Sequence, residues 1–194
     1  GTTRNAAMPS TINAGDGLVS WVVIGRTVGG PLTITTPSEW IEVGQAEYSH
    51  GGGGHTIGYF LKEADGDEDS TSVNFATSVN SRGAIWVDRI EAGSWGGDEV
   101  NDGAFAFASG TSSAPDPPSL TPGGGSADRM WWVTAVMQDG DIDPASAPTN
   151  YGSFQDFPDI GWANFVFARR SADTATEDAG TFGGGLSADW WASA

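Results

Sequence analysis

Short apolar runs separated by clusters of glycine and proline are the feature of this sequence that most limits its fold. Typical runs are Leu18-Val-Ser-Trp-Val-Val-Ile24, Thr56-Ile-Gly-Tyr-Phe-Leu61 and Met130-Trp-Trp-Val-Thr-Ala-Val-Met137. The 29 glycines and 10 prolines fall mainly between such runs, where turns need a positive or a fixed φ. No sustained helical stripe of apolar residues is present in the sequence. These features predict an all-β fold of antiparallel strands.

The order of features in the N-terminal part recurs in the C-terminal part. Three pairs of residues stand 111 positions apart: Trp21 and Trp132, Pro37 and Pro148, Trp40 and Tyr151. Further along, the match drifts by a few residues, with Tyr59 echoed by Phe165, Phe75 by Phe182, and Trp86 by Trp190 or Trp191. A fixed spacing indicates a repeated unit, although any two β-sheet halves share aromatic strands and Pro-Gly turns. We therefore predict two pseudo-repeated halves, about 1–92 and 116–194.

Both halves together predict one antiparallel β-sandwich, jelly-roll-like, over residues 1–194. Each half alone would be a small and poorly sealed sheet, whereas two sheets packed face to face bury a common core. The segment 93–115 is rich in Gly, Ser, Pro and Asp and is predicted to be a linker. Two small sandwiches side by side are the alternative.

Acidic residues dominate the charge, with 25 Asp and Glu against 8 Lys and Arg and a formal net charge of −17. Nucleic acids and anionic membranes bind basic patches, so neither is an expected partner. The simplest interpretation of the acidity is solubility, and a salty habitat is a lesser alternative. With no cysteine, disulfides and thiolate metal sites are excluded.

No targeting or membrane-spanning segment is expected in this sequence. Its first eight residues lack the apolar core of a signal peptide, and no run approaches the roughly 18 apolar residues of a membrane span. We expect either prior processing or assembly in the cytoplasm.

Familiar catalytic patterns are missing from the sequence. A retaining glycosidase on a jelly roll would carry two carboxylates projecting into one cleft, and no strand shows such a pair beside aromatic residues. Neither Ser94 nor Ser126 lies in a Gly-x-Ser-x-Gly elbow, and there is no phosphate-binding or dinucleotide-binding loop. We therefore expect a non-enzymatic protein without a cofactor.

Two acidic turns are candidate calcium sites. They present Asp at positions 1, 3 and 5, a spacing that can point several oxygens at Ca²⁺: Asp65, Asp67 and Asp69 in the first turn, and Asp139, Asp141 and Asp143 in the second. Neither continues as an EF-hand, because positions 6 and 12 hold Ser70 and Ala76 in the first and Pro144 and Asn150 in the second. The simpler interpretation of each is a solvated turn.

The two histidines, His50 and His55, flank four glycines. A flexible loop could bring both rings to one metal ion, but no third ligand stands at a fixed spacing. The simpler interpretation is the polar tip of a hairpin.

Adjacent tryptophans occur twice, as Trp131-Trp132 and Trp190-Trp191. Neighbours on a strand point to opposite faces, so both are hidden only where the strand is covered on each side. Either another layer or a partner subunit buries the outer ring, or that ring is exposed as an interface anchor or a platform for sugars. We favour the interface over sugar stacking.

Three stretches of the chain resemble a group of phage-type β-sandwich proteins: Pro9-Ser-Thr-Ile-Asn-Ala-Gly-Asp-Gly-Leu-Val19, Ile34-Thr-Thr-Pro-Ser-Glu-Trp40 and Tyr59-Phe-Leu-Lys-Glu-Ala-Asp-Gly66. That group shares an opening Pro-x-x-Ile-x-Ala-Gly-Asp-Leu-Leu, a Thr-Pro-x-Gly-Trp turn and a strand ending in Ala-Asp-Gly. Here Glu39 replaces the usual glycine and Gly17 an aliphatic residue. The resemblance covers the first half of the chain, and the second only through the repeat.

What the resemblance implies is a virion-associated role. We expect a structural protein on the particle exterior, such as a capsid decoration, cement or head-fibre protein, assembled in the host cytoplasm. Its expected partners are further copies of itself and other virion proteins such as the major capsid protein. The alternative is a carbohydrate-binding or receptor-binding tail module that uses an exposed tryptophan to bind a surface glycan.

Overall fold

The computed structural model describes residues 2–26, 29, 32–50, 53–94, 103–123, 128–138, 144–157 and 163–194, with the backbone alone at 50 and 128. The chain divides into two compact units, Gly1–Gly103 and Ala104–Ala194. Within the described ranges, the strands pair antiparallel and the one helical element is a short 3-10 turn at Ala92–Ser94. The predicted antiparallel all-β class is confirmed.

Among the described residues, seven strands belong to unit 1 and five to unit 2. They are β1 (Thr3–Ala7), β2 (Gly17–Arg26), β3 (Ile34–Thr35), β4 (Ile41–His50), β5 (Gly53–Glu63), β6 (Ser72–Thr77), β7 (Arg82–Ile90), β8 (Phe107–Ser112), β9 (Asp128–Gln138), β10 (Gly152–Phe157), β11 (Ala163–Asp173) and β12 (Ala188–Ser193). The sheet orders are β1-β6-β3 and β4-β5-β2-β7 in unit 1, and β10-β11-β9-β12-β8 in unit 2. None of the described segments forms a helix long and apolar enough to span a bilayer.

Unit 1 is a sandwich of its three-stranded and four-stranded sheets. On β6, alternate residues are buried, which turns Val73 and Phe75 inward. The ring of Phe75 packs 4.9 Å from that of Phe60 on β5 and 5.8 Å from that of Trp40, measured between centroids. These contacts join the two sheets through one apolar core.

Strand β2 is one of the two inner strands of the four-stranded sheet and is buried on both faces. Leu18, Val22 and Ile24 point into the core of unit 1. Trp21 lies on the opposite face, where it is also buried and stacks on Tyr59 with 4.5 Å between ring centroids. This confirms the burial that its continuous apolar sequence predicts.

Unit 2 covers its five-stranded sheet in a different way. Phe182, Tyr151 and Ala179, which lie outside the strands, pack on one face of that sheet. Two isolated bridges, Leu120 with Glu177 and Ser146 with Gly183, tie the connecting segments together. The second layer of unit 2 is therefore built from loops joined by single bridges.

The same strand order occurs in both units. In β4-β5-β2-β7 and β10-β11-β9-β12, each strand of one sheet matches a strand of the other in chain order and position. The turns before β4 and β10 also agree. Trp40 N donates to Pro37 O over 3.3 Å and Tyr151 N to Pro148 O over 3.1 Å, and the preceding Glu39 and Asn150 have φ of +68° and +70°.

The strand register does not match residue for residue. Trp21 pairs with Trp86 across β2 and β7, whereas Trp190 and Trp191 pair with Met137 and Val136 across β12 and β9. The shared strand order supports a duplicated unit, and the duplication itself stays a prediction.

Strand β8 lies inside the segment predicted as a linker, 93–115. It pairs along its length with β12 at the edge of the sheet of unit 2. Its sequence, Phe-Ala-Ser-Gly-Thr-Ser, has the composition of a loop, and Gly110 is needed there because the Trp190 ring lies over it. The prediction of a single sandwich over 1–194, against two, stays a prediction.

Candidate functional site

The stretches that resemble the phage group meet at one end of unit 1. Gly15 N donates to Ala64 O and Ala64 N to Asp16 O, both over 2.8 Å. Gly66 has a φ of +89°, and a Cβ there would lie 2.8 Å from Ala14 N, so a side chain at this position would be strained and crowded. The Ala-Gly-Asp turn and the Ala-Asp-Gly strand end are thus two sides of one packed feature. We call residues 13–16, 39–40 and 62–68 the motif corner.

Asp16 is the buried centre of the first of these turns. Its carboxylate accepts hydrogen bonds from Asn13 N (2.7 Å), Ala92 N (2.9 Å) and Arg89 Nε (2.5 Å). The hydrogen bond from Arg89, helped by those from the backbone, lowers the pKa of Asp16 to about 2. Asp16 is therefore ionised at neutral pH and fixes the turn before β2 to the end of β7.

Lys62 is the one lysine of the sequence, and its side chain on β5 is only 7% exposed. Its Nζ lies 3.0 Å from Glu39 Oε2, 3.0 Å from Glu68 Oε1 and 3.3 Å from Asp65 Oδ2. Burial by itself would lower the pKa of Lys62, but the hydrogen bonds to these carboxylates raise it above its usual value. The ammonium group is thus held in the charged state.

Glu68 is the buried partner of Lys62. Its carboxylate also accepts hydrogen bonds from Asp65 N (3.0 Å) and Gly66 N (2.9 Å). Although burial acts to raise the pKa of Glu68, these backbone donors and Lys62 bring it down to about 2. An ionised, fully hydrogen-bonded carboxylate of this kind braces the turn after β5.

Glu39, which replaces the glycine expected from the resemblance, has a left-handed backbone conformation. A φ of +68° is the left-handed conformation that glycine adopts without steric cost. Here the carboxylate of Glu39 binds Lys62 instead, so the ion pair offsets part of the backbone strain.

Unit 2 holds a similar buried ion pair. Arg170 on β11 donates through Nη2 to Glu177 Oε2, and Tyr151 donates its hydroxyl to Glu177 Oε1 over 3.1 Å. The guanidinium carbon of Arg170 also lies 5.3 Å from the centroid of the Tyr151 ring. Burial, together with the negative charge of Glu177, raises the pKa of Tyr151 above its usual value. Strand β11 matches β5 in sheet order, so each unit places a cation on the equivalent strand.

The first predicted calcium turn is only partly assembled. Carboxylate oxygens of Asp65, Asp67 and Glu68 lie within 4.8 Å of one another. Asp69 instead accepts a hydrogen bond from Ile12 N, and Lys62 already supplies a cation to Asp65 and Glu68. Glu68 therefore takes the place predicted for Asp69, and calcium binding stays a prediction.

The second predicted calcium turn, Asp139, Asp141 and Asp143, lies outside the described residues. The side chain of His50 is likewise not described, although its backbone pairs with Gly53 where β4 and β5 form a hairpin. His55 is buried, and its ring lies over Gly25 on β2, where a Cβ would be 2.2 Å from His55 Cδ2. His55 thus packs within the sheet, and a metal site formed by the two histidines stays untested.

All four paired tryptophans are buried: Trp131, Trp132, Trp190 and Trp191. In the core of unit 2, Trp190 Nε1 donates to Ser112 Oγ over 2.9 Å and Trp131 Nε1 to Ala172 O over 3.4 Å. Trp132 and Trp191 lie on the opposite face of the sheet and are equally covered. All four rings are thus covered in the structure, and the interface or sugar-binding role predicted for them stays a prediction.

Sequence reasoning missed the buried charges that the structure brings together. They are Asp16 with Arg89, Lys62 with Glu68, and Arg170 with Glu177. A single lysine at the end of an apolar strand in so acidic a chain is a signal that could have indicated the second pair. The chemistry of this arrangement is to hold strand ends and turns together by fixed charges. No family model, curated protein or solved structure matches the chain.

Proposed function

We propose that this chain is a non-enzymatic structural protein of a phage particle, placed on the exterior of the capsid as a decoration, cement or head-fibre protein. Its partners are the major capsid protein and further copies of itself. The observation that carries the proposal is the motif corner. The residues similar to the phage group bind one another at one end of unit 1, as shared structural signatures of one fold would.

The role of Glu39 is consistent with the proposal. A glycine-to-glutamate change at a position of left-handed φ would be costly in an unrelated turn. In this chain Lys62 binds the carboxylate of Glu39, which offsets part of that cost. A glutamate at this position is therefore compatible with membership of the group.

The buried ion pairs are also consistent with a structural role. Asp16, Lys62 and Glu68 are each saturated with partners inside unit 1. They are held in fixed protonation states, whereas a general acid or base works best with a pKa near the working pH. Groups of this kind are therefore better suited to stabilising a fold than to catalysing a reaction.

Purified particles would test the proposal directly. Mass spectrometry should find the chain in purified particles of the phage that encodes it. Immunogold labelling should locate it on the outer capsid surface. Mild urea should strip it while the shell stays intact, and the stripped shells should rebind the recombinant chain. Particles that lack the chain although it is expressed during infection would contradict the proposal.

Binding to a glycan array would distinguish the alternative, a carbohydrate-binding or receptor-binding tail module, from the capsid role. Specific binding to one class of sugar, together with labelling at the tail, would favour a receptor-binding module. That outcome would require exposure of the four buried tryptophans or a sugar site elsewhere.

A further inference from the structure

At least half of the basic side chains of this protein make ion pairs or hydrogen bonds within the chain. Lys62, Arg89 and Arg170 pair with the buried carboxylates described above. Arg129 donates to the backbone oxygens of Thr174 and Gly123. Half of the eight basic residues in the sequence thus stabilise the chain from within, which leaves few cations to balance the surface.

Carboxylates, by contrast, are widely exposed. The side chains of Glu39, Asp65 and Glu91 are 69%, 70% and 77% exposed even though each lies near a basic group. Further exposed carboxylates occur in both units, among them Glu42, Glu47, Asp67, Asp116 and Asp178. The surface is therefore strongly anionic on each unit, with no single acidic cluster accounting for the charge.

We infer that this fold is stabilised by salt through general screening of its surface carboxylates. Mutual repulsion of surface carboxylates favours expansion of the chain. Because the screening length falls from about 30 Å at 0.01 M to about 3 Å at 1 M salt, added salt removes most of this repulsion. The buried pairs of the motif corner are screened less, so they keep most of their strength.

Thermal unfolding across a salt series tests the inference. The melting temperature should rise by about 5–10 °C between 0.01 and 1 M NaCl, and it should level off as the screening length becomes shorter than the spacing of surface charges. A melting temperature that is constant or falls with salt would overturn the inference. Sucrose acts by exclusion from the surface without screening charge, so a series in sucrose at low salt should not show the same early rise and plateau.

A charge-reduced variant isolates the cause. Replacing four exposed carboxylates, Glu47→Gln, Asp67→Asn, Asp116→Asn and Asp178→Asn, removes four of the 17 net negative charges. The variant should melt above the parent at 0.01 M NaCl and close to it at 1 M. A matched control with neutral exposed changes, Thr11→Ser and Asn74→Gln, should keep the salt dependence of the parent. Equal salt dependence in all three proteins would contradict screening as the mechanism.

Calcium provides a separate arm of the test. Screening predicts that 1 mM CaCl₂ in 0.01 M NaCl has much less effect than 1 M NaCl. If 1 mM CaCl₂ alone gave the full rise, and Asp67→Asn abolished that rise, a specific site would explain the stabilisation and the inference would fail. The salt series concerns the isolated chain, so its outcome is independent of whether the chain is found on particles.

Discussion

Lys62 Nζ lies 3.0 Å from Glu68 Oε1, and both side chains are buried in unit 1. Removing one partner leaves the other charged and without its ion pair. We expect Lys62→Met to lower the free energy of unfolding by about 3 kcal/mol. The double variant Lys62→Met, Glu68→Gln should lose less than the sum of the single changes, as measured by urea unfolding in a double-mutant cycle. Asp67→Asn, exposed in the same turn, is the control and should change stability by less than about 0.5 kcal/mol at 0.15 M NaCl.

Acid should unfold the protein only at low pH. Asp16 and Glu68 both have a pKa of about 2 in the folded chain, below their ordinary values of 3.8 and 4.5. A lowered carboxyl pKa gives stability that is complete above the unfolded value and is lost as the pH falls through the folded one. The free energy of unfolding, measured by circular dichroism, should therefore fall as the pH decreases from about 4.5 to about 2. An unfolding midpoint above pH 5 would contradict the assignment.

The close approach of Trp190 to Gly110 predicts a site intolerant of any side chain. A Cβ at Gly110 would lie 2.7 Å from Cζ2 of the Trp190 ring, whose Nε1 is held by Ser112. We expect Gly110→Ala to lower the free energy of unfolding by about 1–3 kcal/mol. Gly152→Ala, where a Cβ meets nothing within 4 Å, is the matched control on β10 and should be nearly neutral. Equal losses for the two variants would show that crowding by Trp190 is not the cause.

Two buried serines should respond in opposite ways to loss of the hydroxyl. Ser20 Oγ has no hydrogen-bond partner among the described residues, and Ser20 shares the buried side of β2 with Leu18 and Val22. Ser193 Oγ lies 2.6 Å from Thr134 Oγ1 in a buried hydrogen bond. Ser20→Ala should raise the free energy of unfolding by about 1 kcal/mol, whereas Ser193→Ala should lower it by about 1–2 kcal/mol. Chemical denaturation measures both, and a loss on Ser20→Ala would indicate a partner for that hydroxyl.

Position 39 should prefer glycine to alanine, because its φ is +68°. Glu39→Gly and Glu39→Ala lose the same ion pair with Lys62, so their difference isolates the backbone. We expect the glycine variant to be more stable by about 1 kcal/mol. Asn150, at a φ of +70° in unit 2, should show the same preference. Equal stability of the glycine and alanine variants at both positions would contradict the left-handed assignment.

The alternation and turn pattern of the sequence was enough to predict strands and their boundaries in several places. The apolar run at residues 18–24 became the central part of β2, and the run at 130–137 lies within β9. Strand β8 was missed because Ala-Ser-Gly-Thr-Ser is a loop-like composition, and its pairing depends on a glycine that accommodates a ring from β12. Such a requirement comes from a neighbour distant in sequence, so no local pattern reports it.

The candidate site, like the fold, was only partly predictable from the sequence. Residue types and spacing located the acidic turn at 65–69 and made it a candidate calcium site or a solvated turn, but they did not predict that Asp69 would bind the backbone of Ile12 or that Glu68 would bind Lys62. The paired tryptophans could be placed on strands by periodicity. Their burial was undecided, because coverage of the outer face depends on what lies across the sheet.

The sequence by itself determined the all-β class and the acidic character, since these follow from local periodicity, turn chemistry and composition. Only the tertiary structure decided that the lone lysine closes a buried ion pair, that a glutamate occupies a glycine conformation, and that the tryptophans are core. The physical reason is that these interactions act over different separations along the sequence. Strand preference acts between neighbours in sequence, whereas burial, charge pairing and steric fit act between residues that only the folded chain brings together.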